Sequence, residues 1–121
     1  MNETLSLVQE LNGEWANFYC AMAYPGSKLH EQAREQGIQL PEDNGGPGWV
    51  GYSQHSFETM PLPTETLSSA EVLRFRDNAV NQYYTSSKYL DMIQNTFGLK
   101  ARQHIEKMTQ QKLKRKILMN N

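Results

Sequence analysis

The sequence predicts a mainly helical α+β fold with one substantial strand. Three observations predict it. Apolar residues recur at steps of three and four through the C-terminal half, beginning at Val72. From Glu14 to Tyr24 both alternating sets of residues are mostly apolar, the pattern of a strand buried on two faces. Between 38 and 64 the chain is interrupted by Pro41, Gly45, Gly46, Pro47, Gly48, Pro61 and Pro63, which confines regular structure there to brief pieces within a long loop. A length of 121 residues suits one domain with a real core. The mean hydropathy of -0.71 is low for a compact enzyme, so part of the chain is expected to be extended or solvated.

In chain order, Leu5, Val8 and Leu11 give a short amphipathic helix over 3–11, with Asn2 and Thr4 as candidate caps and Asn12-Gly13 as its stop. The strand 14–24 sets Trp15, Tyr19, Ala21 and Ala23 on one face and Phe18, Cys20, Met22 and Tyr24 on the other. Pro25-Gly26 turns the chain, Ser27 caps a helix over 28–36 with Leu29 and Ala33 as its core face, and Gly37 suits the left-handed closing position. Trp49–Tyr52 and Ser56–Met60 are the only downstream stretches that read as extended. Ser68 and Glu71 have capping-box spacing, and Val72, Phe75, Ala79 and Tyr83 continue a helix over 69–85. Tyr89, Leu90, Ile93 and Phe97 give a helix over 87–97 that Gly98 ends. A last helix, roughly 100–117, carries the thin stripe Ala101, Ile105, Met108, Leu113 and Ile117.

A central parallel strand must exchange hydrogen bonds along both edges, and this chain offers it no adequate partners. Two explanations stay open: pairing with a second copy, or excision from a larger α/β protein. Helix–strand–helix is the repeating unit of such folds, in which ligands gather beyond the carboxyl ends of strands. Tyr24-Pro25-Gly26 occupies that place, although a tight turn accounts for the same residues.

No apolar run reaches the roughly 20 residues that span a bilayer, and Met1-Asn-Glu-Thr lacks the basic start of a signal peptide, so a cytoplasmic, soluble chain is expected. The single cysteine, Cys20, agrees with a reducing compartment and excludes a site built from several cysteines of this chain. Charge is asymmetric. Residues 1–98 hold 5 basic against 12 acidic groups, and residues 99–121 hold 7 against 1.

The run Ala23-Tyr24-Pro25-Gly26-Ser27, the spacing of Leu29 and Ala33 to Gly37, and above all Trp49-Val-Gly-Tyr52-Ser-Gln-His-Ser-Phe-Glu-Thr-Met-Pro-Leu-Pro-Thr64 resemble the C-terminal part of radical S-adenosylmethionine proteins. The subgroup most resembled carries an N-terminal cobalamin-binding domain, as in anaerobic magnesium-protoporphyrin monomethyl ester cyclases. The likeness covers residues 3 to about 118. It implies that 1–48 is the last β/α unit of a partial α/β barrel and that 49–121 is a C-terminal loop and helical extension packed with it as one domain. It also implies a parent with a 4Fe-4S cluster and S-adenosylmethionine, and leaves the use of cobalamin open. The three closely spaced cluster cysteines and the cobalamin-binding His motif have no counterpart here, so the fragment alone is expected to be inactive and to bind no cofactor or metal. By resemblance Ala23, Tyr24, Pro25 and Gly26 form part of the S-adenosylmethionine pocket wall, and Trp49, Tyr52, Gln54, His55 and Glu58 form a loop on the substrate side. Ser27 stands where threonine is frequent, keeping the capping hydroxyl. The partner implied is the remainder of the barrel.

Independently of that likeness, His55 and Glu58 read as an acid–base pair or two metal ligands, too few for a metal site and equally explained by local hydrogen bonds. Arg74, Arg76 and Asp77 read as solvated helix charges, and His30 and His104 as solvent-facing. The tail Lys107, Lys112, Lys114, Arg115 and Lys116 lacks interleaved aromatics, which disfavours nucleic acid and favours a solvated helix end or docking on an acidic surface. The rival to the enzyme fragment is a small helical interaction module that dimerises through 14–24 and uses its basic tail for partner binding.

Overall fold

The computed structural model describes residues 1–119, and among them every regular element is helical. Their order is α1 (Asn2–Leu11), α2 (Lys28–Glu35), a short 3-10 helix (Gly48–Tyr52), α3 (Ser69–Thr85), α4 (Ser87–Phe97), α5 (Leu99–Gln110) and α6 (Lys116–Met119). The chain forms two compact units, Met1–Phe18 with Asp77–Lys112 and Tyr19–Arg76 with the segment from Leu113 onward.

Local signals explain the helix ends. Ser27 Oγ accepts the His30 amide at 3.1 Å. At the far end of α2 the amides of Gly37 and Ile38 bond to the carbonyls of Arg34 and Ala33, and Gly37 takes φ +72°, a complete Schellman closure. The capping box of α3 also forms: the Ser68 amide donates to Glu71 Oε2 at 2.8 Å and the Glu71 amide to Ser68 Oγ at 3.2 Å. The Ser68 amide and, at 2.9 Å, the Ser68 hydroxyl donate to the Glu71 carboxylate and hold it below its usual range. No side chain caps α1 in the way Asn2 or Thr4 promised.

In the first unit Tyr83, Tyr84, Tyr89, Leu90, Ile93 and Ile105 form the core, with Val8, Ala16, Phe18, Ala101 and Met108 packed on it. Arg102 ties α5 to α4 by donating to Asp91 and Gln94 at 2.8 and 3.0 Å, and to Glu106 within its own helix at 3.1 Å. Phe97, expected inward, is exposed. The second unit has two apolar clusters. Cys20, Met22, Tyr52, Val72 and Leu73 form one, against Leu67 and Ile117; Ala23, Ala33 and Leu40 form the other, against Ile38 and Leu62. Leu29, expected beside Ala33, is exposed.

The expected α+β fold with a terminal barrel unit is overturned, because residues 14–24 form no strand. Side chains take the place of neighbouring strands. In the first unit the hydroxyls of Tyr83, Tyr89 and Tyr84 donate to the carbonyls of Gly13, Glu14 and Ala16, and Tyr84 also accepts the Ala16 amide. In the second unit the Gln54 side-chain amide donates to the Cys20 carbonyl and accepts its N–H, both at 2.9 Å, while the Leu62 amide donates to the Ala21 carbonyl at 3.0 Å. Backbone groups satisfied in this way need no sheet. Burial still alternates as in extended chain, with Cys20 and Met22 inside and Tyr19 and Ala21 outside.

Two further expectations fail. Trp49–Tyr52 is a 3-10 turn, and Ser56–Met60 forms no strand. The last helix stops at Gln110 instead of running to 117, and a four-residue helix follows from Lys116. Arg115 lies in the break.

Candidate functional site

The second unit holds two polar networks joined by Tyr52 and the loop after it. Helix α2 places His30 and Arg34 one turn apart on one face, and the loop beyond Pro41 brings Glu42 and Asp43 to meet them. Glu42 Oε1 lies 2.6 Å from His30 Nε2 and 3.2 Å from an Arg34 guanidinium nitrogen, and Oε2 accepts the Tyr52 hydroxyl at 2.5 Å. Asp43 accepts from Arg34 at 3.2 Å and from the Leu40 amide at 2.8 Å. Burial alone would raise the Glu42 carboxyl, but hydrogen bonds from Tyr52 and His30 outweigh it and bring it to about 2. Burial and the bond to ionised Glu42 push the Tyr52 phenol well above its ordinary value. A carboxylate engaged at both oxygens and a phenol held neutral make a poor acid–base pair at neutral pH. Their chemistry here is structural: they lock the 3-10 turn onto α2.

That lock presents a row of aromatic rings. Tyr24 stacks at 5.7 Å on Tyr52, and Tyr52 at 6.1 Å on Trp49. Trp49 is 70% exposed and Tyr24 48%, so both ends of the row face outward. Tyr24 also shapes the backbone beside it: its carbonyl accepts the Ser27 amide at 3.1 Å across a turn in which Gly26 takes φ +87°.

The loop after Tyr52 is organised by Thr59 and Arg115. Thr59 is fully buried, its hydroxyl 2.6 Å from the Ser53 carbonyl and 2.8 Å from that of Ser56. Arg115, 2% exposed, donates to the Ser56 carbonyl, Thr59 Oγ1 and the Gln54 carbonyl at 2.9, 2.8 and 2.9 Å. A planar guanidinium with five donors suits a ring of acceptors that a lysine could not fill.

The residues singled out from the sequence separate accordingly. Ala23 packs into the core with Ala33 and Leu40, while Tyr24, Pro25 and Gly26 form an exposed turn. The cavity that Ala23 lines with Leu40, Tyr52 and Leu62 measures about 10 Å³, room for one water. Gln54 clasps Cys20 instead of facing a substrate. His55 and Glu58 do not pair: His55 meets Arg76 at 3.1 Å and the Tyr19 ring at 6.1 Å, and Glu58 binds Lys116 at 3.2 Å. Among the described residues no three His, Cys, Asp or Glu side chains converge as metal ligands. His30 is drawn into the Glu42 network, and Arg76 and Arg115 are buried, contrary to the solvated roles expected of them. Glu42, Thr59 and Arg115 carried no signal of their own. The His30–Arg34 spacing, two basic groups on one helix face, was the available hint that an acid would be found opposite.

No family model, curated protein or solved structure matches the chain.

Proposed function

We propose that the chain is the helical C-terminal region of a radical S-adenosylmethionine enzyme, in the subgroup with a cobalamin-binding domain. One observation supports this best. The two stretches that carry the likeness, 23–27 and 49–64, lock together in a single unit, through Tyr24 on Tyr52 and, just upstream of the first, Leu62 bonded to Ala21. They act as one structural element. In this reading the exposed Trp49 and Tyr24 cover the substrate side of a cytoplasmic parent. The remainder of that parent holds the 4Fe-4S cluster, S-adenosylmethionine and any cobalamin. In this reading the three cluster thiolates come from the remainder of the parent, since Cys20 is the one cysteine of this sequence. Reading the gene upstream of Met1 tests the proposal. An open frame encoding three closely spaced cysteines is expected; a stop codon followed by an independent start defeats it.

The exposed aromatic row favours a second reading, a helical interaction module that forms a homodimer. Sedimentation of the purified chain is then expected to give a dimer that Trp49→Ala weakens. A monomer at all concentrations excludes it. No helix of the described residues is long and apolar enough to cross a membrane.

A further inference from the structure

The Gln54 side chain makes with Cys20 the same pair of bonds that a residue of a neighbouring strand makes: N–H to O in one direction and O to H–N in the other, each 2.9 Å. Gln54 belongs to no regular element. It follows the 3-10 turn in a loop, and its own backbone carbonyl accepts from Arg115 at 2.9 Å. Arg115 arrives with the C-terminal segment, which is fastened to the same loop at two more points and to the adjoining core at another. The Lys116 amide donates to the Phe57 carbonyl at 2.8 Å, Lys116 Nζ pairs with Glu58 at 3.2 Å, and Ile117 packs on the cluster that contains Cys20 and Met22.

We infer that residues 113–119 are a latch: docking of the Arg115 guanidinium into loop 53–59 holds Gln54 over Cys20, and undocking releases the 19–22 segment and its buried thiol. The physical basis is a serial linkage. Arg115 is a buried cation that donates to two carbonyls and a hydroxyl of the loop, so its loss removes three charge-assisted hydrogen bonds at once. Loop 53–59 has no helix or sheet of its own to resist the loss. Gln54 then loses the donor on its own carbonyl. Its position loosens although Thr59 still holds Ser53 and Ser56 on either side, and the two bonds to Cys20 weaken with it. The latch is separable from the first unit, which ends at Lys112, one residue before it begins.

Cys20 is the only cysteine, so its modification by Ellman's reagent reads the release directly. In Arg115→Met, and in a chain ended after Lys112, the labelling rate is expected to rise by about ten- to a hundred-fold, the loss of the two neutral bonds between Gln54 and Cys20 that undocking releases. Low urea should scarcely change that faster rate, the signature of a local opening. Gln54→Met keeps Arg115 and removes only the clasp on Cys20. It is expected to label as fast as Arg115→Met, and it decides the matter if Arg115→Met fails to fold. Wild-type labelling rates in folded Arg115→Met, in the chain ended after Lys112 or in Gln54→Met, or rates in these variants that climb with urea in parallel with global unfolding, overturn the latch.

Discussion

Replacing Tyr84 with phenylalanine tests whether side chains truly stand in for the missing sheet. The hydroxyl accepts the Ala16 N–H at 2.9 Å and donates to the Ala16 carbonyl at 2.6 Å, so its removal orphans both polar groups of one half-buried residue. The ring remains, with its neighbours Tyr83 and Tyr89 at 5.0 and 5.1 Å, so little packing is lost. At about 0.5–1.5 kcal/mol net for each bond, and somewhat more where a buried partner is left unsatisfied, the expected cost is about 2–3 kcal/mol. The assay is urea unfolding in a Trp49→Phe background. There Trp15, 5.2 Å from Tyr84, is the remaining tryptophan and reports on its own unit. The midpoint is expected to fall with the slope unchanged. A loss below about 0.5 kcal/mol would mean that water serves Ala16 as well as the hydroxyl does, and the account of why 14–24 needs no strand partners would fail. A loss as large as Tyr84→Ala, where the ring itself goes and about 3–5 kcal/mol is expected, would locate the effect in packing instead.

Burial first, and then neighbouring phenols and Glu14, raise Tyr89 to about 12; burial also raises Tyr83 and Tyr84. The fold favours their neutral forms, so the stability they contribute is complete below pH 10 and lost as pH rises toward 12, and absorbance at about 295 nm should show these phenols ionising late and together with unfolding. For Glu42 the sign is opposite. Its carboxyl is depressed from 4.5 to about 2, so its contribution is present above pH 4.5 and disappears as pH falls toward 2. Discounted for solvent at this partly exposed group, Glu42→Gln should cost on the order of 1 kcal/mol at pH 7, with the difference from wild type vanishing in acid unfolding near pH 2. Gly46→Ala should destabilise by about 1–3 kcal/mol in urea unfolding, because the new Cβ would lie 2.4 Å from the Pro41 carbonyl oxygen and 3.0 Å from that of Asp43, and backbone has little room to retreat.

The legible part of the fold was the part written in neighbouring residues. The Ser68–Glu71 box and the three-and-four spacing from Val72 located α3 at Ser69–Thr85, and Gly98 closed α4 where expected. The apolar stripe was less reliable at its margins, since Phe97 and Leu113 continue the spacing and yet are exposed. The candidate site was legible only as a region. Tyr24, Trp49 and Tyr52 do come together, but Gln54 faces backbone, and the acid–base pair at His55 and Glu58 dissolves into separate contacts with Arg76 and Lys116.

The sequence by itself determined where helices start and stop, because a cap, a positive-φ glycine or a turn of apolar spacing acts over a few residues. What only the tertiary structure decided is how residues 13–22 satisfy their backbone. Ala21 meets the backbone of Leu62, but Gly13, Glu14, Ala16 and Cys20 meet side-chain groups 34 to 75 positions away, from Gln54 on Cys20 to Tyr89 on Glu14. A tyrosine placed to pack in a core and one placed to donate to a distant carbonyl look the same in a linear pattern, and only the folded chain, by bringing that carbonyl within 2.8 Å of the Tyr89 hydroxyl, tells them apart.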